Sequence, residues 1–584
     1  MDNLRLLIIR DGIPNGLNHV PDELRYFPQK ELVRFKLWTS QIKHLWEGVK
    51  YFDRLKYIDL RDSKSLIETP DFTGFPRLVG LCLRGCSNLV EIHPSIGQLR
   101  RLVELDLEDC QSLTNLPSMT TEMESLKILN LRRCSNLIEI HPSIGQLRGL
   151  IKLDLEDCRS LTNFPSITAE MQSLTTLNLI GCLKLRNISE FKGISKSLSE
   201  VYLVRTAIEK LPSSIDCLTA LTTLNLEDCK NLKCLPSNID SLRSLEILVL
   251  SGCSKLANLP ETFWKMKCLK ILYLNGRSRL EGIGFNGINS FSSLQHLTLS
   301  RTSFVSLPRS ISQLSNLETL DLSHCLYLRS LLELPSTVKY INAQECYSLQ
   351  PSHNGGRYDE SSGRVAYTIL HRYLQGLLCQ KTGNETSTKR TENGLGTEFQ
   401  IIIPGKVIPS WLTHRSLGNS IRIKLSPNWY NSKCMGFVFC ARLDGFQRES
   451  SVYGFPGASQ FGLLEFCSLQ TPKKLYENRP VSVHLRAPLG ERGEVSHISF
   501  GRIFGRIFGW GQILLVYLSP ANFEFENGGC CDIIFEFELE SNRLVHRQEE
   551  ENLKVLECGV RLVYKQDVEE FNQTIAQCRS NVTA

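Results

Sequence analysis

Leucines recur along most of this chain at a nearly fixed interval. A unit L-x-x-L-x-L-x-x-C-x-x-L begins at Leu32, Leu55, Leu78, Leu102, Leu126, Leu150, Leu174, Leu198, Leu221, Leu245, Leu269, Leu294, Leu317 and Val338, with starts 21 to 25 residues apart. In L-x-x-L-x-L the leucines two apart point to one side of a short strand. A strand that short buries its apolar side only against a neighbouring copy, so the pattern predicts a stack of one parallel strand per repeat. The segment after each strand, as in LKCLPSNIDSLRS (232–244), carries a proline where a sheet would have to continue, and so predicts a turn and a short return.

The period lies in the leucine-rich-repeat range. The expected fold is an α/β leucine-rich-repeat solenoid over 32–350, a curved parallel sheet with an irregular, short-helical convex side, preceded by a cap or degenerate first repeat at 1–31. Residues 83–118 and 131–166 agree at 29 of 36 positions at an offset of 48, a duplication of two whole repeats. Repeat arrays tolerate such copying because each unit touches only its neighbours.

The chain holds 21 cysteines, an odd number. Nine of them, Cys86, Cys110, Cys134, Cys158, Cys182, Cys229, Cys253, Cys325 and Cys346, lie eight residues after their repeat start. A side chain there turns inward at the strand end, where a small thiol packs beneath the backbone. Thr206, Thr302 and Arg277 replace it in three repeats, and the one at Leu269 is the expected irregularity. One thiol per rung, with no CxxC pair, does not resemble clustered zinc ligands. It suits a reducing compartment better than a secreted disulfide framework.

After 350 the repeat stops. Residues 351–396 are Gly-, Ser-, Asn- and Thr-rich at their ends and read as linker, with a helix over 365–378 that would cap the last repeat. Residues 397–566 alternate as strands in IRIKL (421–425), FEFEL (535–539) and VRLVY (560–564), followed by a tail at 567–584. PGKVIP (404–409) suits an edge or corner, and GRIFGRIF (501–508) reads as a slippage duplication in a loop.

Composition narrows the function. At 42% hydrophobic and 22% charged residues the chain is an ordinary folded protein. Its net charge of +6 is interspersed, so neither nucleic acid nor membrane is an expected partner. No run of 18 apolar residues occurs, and the opening MDNLRLLIIRDGIPNG lacks the regions of a signal peptide. GIGFNG (282–287) matches GxGxxG but has no βαβ context. HExxH, GxSxG and EF-hand loops are missing, and His93 and His141 recur only because their unit was duplicated. The glycosylation triplets NET (384–386), NQT (572–574) and NVT (581–583) read as chance. No catalytic residue, metal or cofactor is expected.

LEDCKNLKCLPSNIDSLRSLEILVLSGCSKLANLP (226–260) and SQIKHLWEGVKYFDRLKYIDLRDSKSLIETPDFTGFPRL (40–78) resemble the leucine-rich repeats of plant TIR-NB-LRR intracellular immune receptors. FQIIIPGKVIPSWLTHRSLGNSIRIKLSPNW (399–429), MGFVFCARL (435–443) and CGVRLVYKQDVEEFNQ (558–573) resemble their post-LRR domain, the C-JID, a jelly-roll and Ig-like β-sandwich. The resemblance implies a cytoplasmic or nuclear module that binds a pathogen effector or a guarded host protein and regulates a TIR and nucleotide-binding signalling half. That half is expected to be absent, with no GxxxxGKS/T loop and an incomplete first repeat, as in a fragment or a truncated product. A decoy or regulator acting in trans on a full receptor is one alternative. An extracellular receptor ectodomain is another.

Outward positions of each repeat form columns along the strand face. Trp38, Arg61, Arg84, Glu108, Arg132 and Glu156 lie six residues after their starts, and from Arg84 to Glu156 they alternate in sign, which permits a ladder of lateral pairs. With Tyr202, Arg205, Tyr273, His296 and Arg301 they are the expected partner-contacting residues, since Tyr and Arg dominate binding hot spots.

Overall fold

The computed structural model describes residues 6–9, 31–46, 48–276, 285–331, 334–349, 361–380, 399–425, 429, 431, 433–445, 482–489, 494–499, 511–519, 532–540 and 553–568. The chain forms two compact units, Met1–Leu294 and Gln295–Ala584, so the strands of the last three repeats belong with the C-terminal segment.

In the first unit the strands fall where the leucine pattern predicts, on the x-L-x of each repeat. From Arg34–Leu37 and Tyr57–Asp59 through Gly80–Cys82 to Ile271–Tyr273 each pairs in parallel with the next. The row starts earlier than the first repeat start: Leu6–Ile9, inside the predicted cap, pairs in parallel with Arg34–Leu37. Central residues such as Ile58, Leu81, Leu105 and Leu129 are buried, as the period-two alternation requires.

Two devices close each strand. The residue seven after the repeat start takes a left-handed backbone, at φ 61° for Asp109, 59° for Arg133 and 59° for Asp157. There its N–H reaches the next rung, as Asp109 N does to Arg132 O at 2.8 Å and Arg133 N to Glu156 O at 2.6 Å. One residue later the thiol reaches back: Cys110 Sγ donates to Leu83 O, Cys134 Sγ to Leu107 O and Cys158 Sγ to Leu131 O, each at 3.2 Å. Burial pushes the Cys86 and Cys134 thiols up to about 12, so they stay protonated and keep the proton they donate. Ser63, which the cysteine pattern passes over, makes the same bond to Leu37 O at 3.2 Å. Thr206 and Thr302 instead bond their own repeat's Leu203 O and Leu299 O, at 2.8 and 2.7 Å.

The return segments are 3-10 turns such as Pro94–Gln98 and Pro142–Gln146, shorter than the α in the expected fold class implies. His93 Nδ1 accepts from Ser95 N at 3.3 Å and His141 Nδ1 from Ser143 N at 3.2 Å. The recurring histidines are therefore helix caps. Each capped serine accepts from the preceding repeat, Ser95 Oγ from Phe72 N at 2.7 Å and Ser143 Oγ from Met119 N at 2.8 Å. GIGFNG (282–287) is described only from Phe285, which opens the turn Phe285–Ser290. A Cβ on Gly287 would come 2.5 Å from Trp264 Cγ, so this glycine permits packing against an indole.

In the second unit His296–Thr298, Thr319–Asp321 and Tyr340–Asn342 are parallel neighbours. The sheet does not stop at the last repeat: Tyr340–Asn342 pairs in parallel with Phe399–Pro404, whose other edge pairs antiparallel with Gln512–Leu518. The order continues through Cys434–Gly445 and Leu553–Tyr564 to His414–Leu417, all antiparallel. A second sheet of Ser420–Lys424, Asp532–Glu540, Ser482–Leu489 and Glu494–Ser499 is antiparallel throughout. Ile421, Ile423, Phe535 and Phe537 from this sheet pack with Phe437, Phe439, Leu514, Val516 and Val560 of the first in one buried core, the expected β-sandwich. Pro404 is the last residue of its strand, past the stretch paired with the repeat, which is where a missing N–H costs nothing to that ladder.

The helix spans Ser361–Gln380, longer at both ends than its apolar spacing predicts. It packs on the sandwich as well as on the last repeats. Tyr373 lies 5.0 Å from the Phe399 ring, Tyr367 lies 4.9 Å from that of Trp411, and a Cβ on Gly376 would meet Ser336 Cβ at 2.9 Å. The sequence duplication at 501–508 and the three glycosylation triplets lie outside the described residues.

Two measurements test these contacts. Cys134→Ala should cost about 1–2 kcal/mol, from lost sulfur packing and one hydrogen bond. Cys134→Thr, which copies the residues at 206 and 302, should cost less, and urea denaturation of the three proteins ranks them. On the return side the Glu190 carboxylate accepts from Ser213 N, Ser213 Oγ, Ser214 N and Ser214 Oγ at 2.6–3.1 Å, which lowers its pKa from 4.5 to about 2. Its contribution is therefore complete above 4.5 and is lost as pH falls toward about 2. The stability margin of wild type over Glu190→Gln should close across that window in acid-unfolding curves.

Candidate recognition face

The outward positions of the first unit are less open than their spacing suggests. Where Asp or Asn stands four residues after the start, as at 106, 130, 154 and 225, it turns back to cap its own strand. Asp106 Oδ1 accepts from Glu108 N at 3.1 Å, Asn130 Oδ1 from Arg132 N at 3.2 Å, Asp154 Oδ1 from Glu156 N at 3.2 Å and Asn225 Oδ1 from Glu227 N at 2.9 Å. Neighbours in this column also bond each other, Asn130 Nδ2 to Asp106 Oδ1 at 2.9 Å and Asn178 Nδ2 to Asp154 Oδ1 at 3.0 Å. The duplication copies that pair, and the bonds hold the left-handed turn in place.

Six residues after the start, the alternating charges form separate pairs. Arg84 Nη2 lies 3.4 Å from Glu108 Oε1 and Arg132 Nη2 lies 2.9 Å from Glu156 Oε1. Between the pairs, Glu108 faces Arg133 Nη1 at 3.9 Å, a residue of the turn rather than of the column. Glu108 and Glu156 are only 7% and 5% exposed, which corrects their reading as open contact residues. Burial raises the Glu156 carboxyl above its ordinary value, and Arg132 offsets part of that rise.

The remaining candidates separate. Tyr273 is buried at 7% exposure, so it is not the exposed aromatic that its column position suggests. Arg205 and Arg301 occupy the left-handed turn, at φ 57° and 58°, and belong to no strand column. Tyr202 is half-buried, with its hydroxyl 3.4 Å from Glu200 Oε2. His296 and Arg301 lie in the second unit, where burial holds the His296 imidazole below its ordinary pKa and Arg301 is exposed.

Trp38, Arg61 and Arg84 sit at the amino-terminal end of the column. Arg61 grips Asp59 with Nε to Oδ1 and Nη2 to Oδ2, both 2.9 Å, while its guanidinium carbon lies 5.2 Å from the Trp38 ring centroid. Burial pushes Asp59 upward, but the bonds from Arg61 and Trp38 outweigh it and its carboxyl sits below the ordinary value. Lys36 Nζ lies 5.2 Å from the same ring, and the Arg34 guanidinium 4.6 Å from the Tyr57 ring. Arg34 and Tyr57, two residues after their starts, and Lys36, four after its start, are not among the residues that the sequence singled out.

Among the described residues no group of three or more His, Cys, Asp or Glu is placed to hold a metal ion. No helix among them is long and apolar enough to cross a membrane. The geometry is that of side-chain columns on a leucine-rich-repeat sheet, with a β-sandwich in the C-terminal unit.

Comparison with known proteins gives the family. Residues 171–331 match the model "Disease resistance protein RPS4B-like, leucine-rich repeats" and residues 403–569 match the C-JID domain. TMV resistance protein N of Nicotiana glutinosa is 31% identical over 461 residues, covering 71% of this chain and 37% of its own length. Disease resistance protein LAZ5 of Arabidopsis thaliana is 30% identical over 568 residues, covering 92% of this chain and 40% of its own. Disease resistance protein RPS4B of Arabidopsis thaliana is 28% identical over 598 residues, covering 95% and 42%. The chain belongs to the plant disease resistance proteins that carry leucine-rich repeats followed by a C-JID domain. It spans roughly two fifths of the length of these relatives. Neither matching model is that of a catalytic domain.

The Arg132–Glu156 pair is open to a direct test. Removing Arg132 takes away the attraction that offsets burial, so Glu156 should titrate higher in Arg132→Ala than in wild type. The folded state then holds a proton that the unfolded chain has released, so stability falls as pH rises from 4.5 through the raised value. At neutral pH the loss should be about 1–3 kcal/mol, with part regained in Arg132→Ala/Glu156→Gln, as read from urea denaturation over a pH series.

Proposed function

We propose that this chain is the protein-recognition part of a disease resistance receptor. It binds a pathogen effector or a guarded host protein through the strand face and the sandwich, and so regulates a TIR and nucleotide-binding signalling half. One observation carries the reading: the repeats over 171–331 are of the resistance-protein type, and the sheet of the last repeats runs without interruption into Phe399–Pro404, the strand at which the C-JID match begins. Repeats and sandwich in this unit thus present one hydrogen-bonded surface. Binding would shift the receptor population toward a signalling state in proportion to its preference for that state.

The chain itself performs no catalysis in this reading and needs no cofactor, since binding alone does the work. A cytoplasmic or nuclear location goes with it. The buried thiols support that location, because the nine at the repeat position each donate a hydrogen bond and none among the described residues is in a disulfide.

Binding to a cognate effector or guarded protein, measured by titration calorimetry with the purified chain, should weaken at least tenfold in Arg84→Ala/Tyr202→Ala. Equal loss of binding is not expected from Cys234→Ala on the return side. A thiol count on denatured, unreduced protein should give 21 free thiols. A lower count would favour the extracellular ectodomain, and unchanged affinity in the double variant would remove the strand face from the site.

A further inference from the structure

The strand face of the first three repeats holds an excess of positive charge that the rest of the face does not. Among its described residues the outward positions carry four cations, Arg34, Lys36, Arg61 and Arg84, against the carboxylate of Asp59 and, for Arg84, that of Glu108 on the next rung. Arg34, Arg61 and Arg84 are exposed, whereas Asp59 is 8% exposed and already gripped by both arms of Arg61. In the duplicated stretch that follows, arginine and glutamate alternate and pair with each other, Arg84 with Glu108 and Arg132 with Glu156. Charge is thus compensated from rung to rung there, and accumulates at the amino-terminal end.

Two aromatic rings hold these cations in position. Arg34 lies 4.6 Å from the Tyr57 ring centroid, and Lys36 and Arg61 each 5.2 Å from that of Trp38. Gly80, on the next rung, leaves space for the Tyr57 ring, since a Cβ there would come 3.0 Å from Tyr57 Cδ1. A long cationic side chain fixed over a ring loses less entropy on binding an anion than a freely moving one.

We infer that this face docks an acidic segment of a partner protein, whose carboxylates meet Arg34, Lys36 and Arg61. The inference rests on the recognition reading above and adds the chemistry of the partner. The arrangement favours carboxylates on a polypeptide over a nucleic acid. The rings are engaged by guanidinium and ammonium groups and so are not open platforms for stacking bases. Three rungs are two strand spacings and span only about 10 Å, the reach of about three extended residues.

The test uses the full chain and three labelled probes: a short Glu/Asp-rich peptide, a Lys-rich peptide of equal length and a single-stranded DNA oligonucleotide. By fluorescence anisotropy the acidic peptide should bind and the basic one should not, with affinity falling as salt is raised. Arg34→Glu/Lys36→Glu should weaken acidic-peptide binding at least tenfold, and Arg34→Gln/Lys36→Gln by a smaller factor. Lys230→Glu, away from the strand face, should leave binding unchanged, and thermal melts of each variant exclude misfolding. No binding of the acidic peptide, binding insensitive to both double variants, or tighter binding of the oligonucleotide would each overturn the inference. A chain that binds a cognate partner but not the acidic peptide loses only this inference, whereas a chain that binds no effector or guarded protein loses the recognition reading.

Discussion

A strand of three residues makes too few hydrogen bonds to hold its own shape, and everything in the repeats depends on the turn that ends it. The left-handed residue of the turn sends its N–H forward to the next rung, as Asp109 does to Arg132, and the thiol one residue later reaches back to the previous one, as Cys110 does to Leu83. A rung with a thiol at this position is therefore anchored on both sides by groups drawn from two neighbours. Stability of this kind is a nearest-neighbour property. It explains why this position, save for Arg277, holds Cys, Ser or Thr, which are small donors, and why the position before it so often holds Asp or Gly, which tolerate a left-handed backbone.

The same geometry constrains how the array could grow. Copying two repeats carried over both an Arg–Glu pair, 84–108 to 132–156, and an Asp–Asn pair, 106–130 to 154–178. Copying one repeat would have set arginine beside arginine and aspartate beside aspartate at one-strand spacing, where like charges destabilise a sheet. A two-repeat unit is the smallest that keeps both columns complementary.

The apolar period made the strands legible, because burial against a neighbour leaves leucine few alternatives. Polar positions were harder to read, because the sequence shows which residues point outward but not what they bond there. Asp106 and Asn130 look like contact residues, yet they spend their acceptors on the backbone two residues ahead. Glu156 looks exposed until the Arg132 side chain is laid over it, and Arg205 looks like a face residue until its φ places it in the turn. The cluster of Arg34, Lys36 and Tyr57 was readable only in part, since the position two after each start is Gly80, Glu104 and Ile128 on the following rungs and no basic or aromatic column continues from it. The pairing of Phe399–Pro404 with the last repeat was not, because nothing in an apolar run names its partner strand.

That pairing has a further consequence. A parallel repeat sheet ends in a strand whose outer N–H and C=O groups are unpaired, a template on which another chain can add itself. Many repeat arrays end in a dedicated polar cap. Here the role falls to a strand of the following domain, so the sandwich serves as a stopper against edge-to-edge polymerisation. A mutation that loosens its core would be felt first as self-association at the end of the repeats, well away from the altered residue.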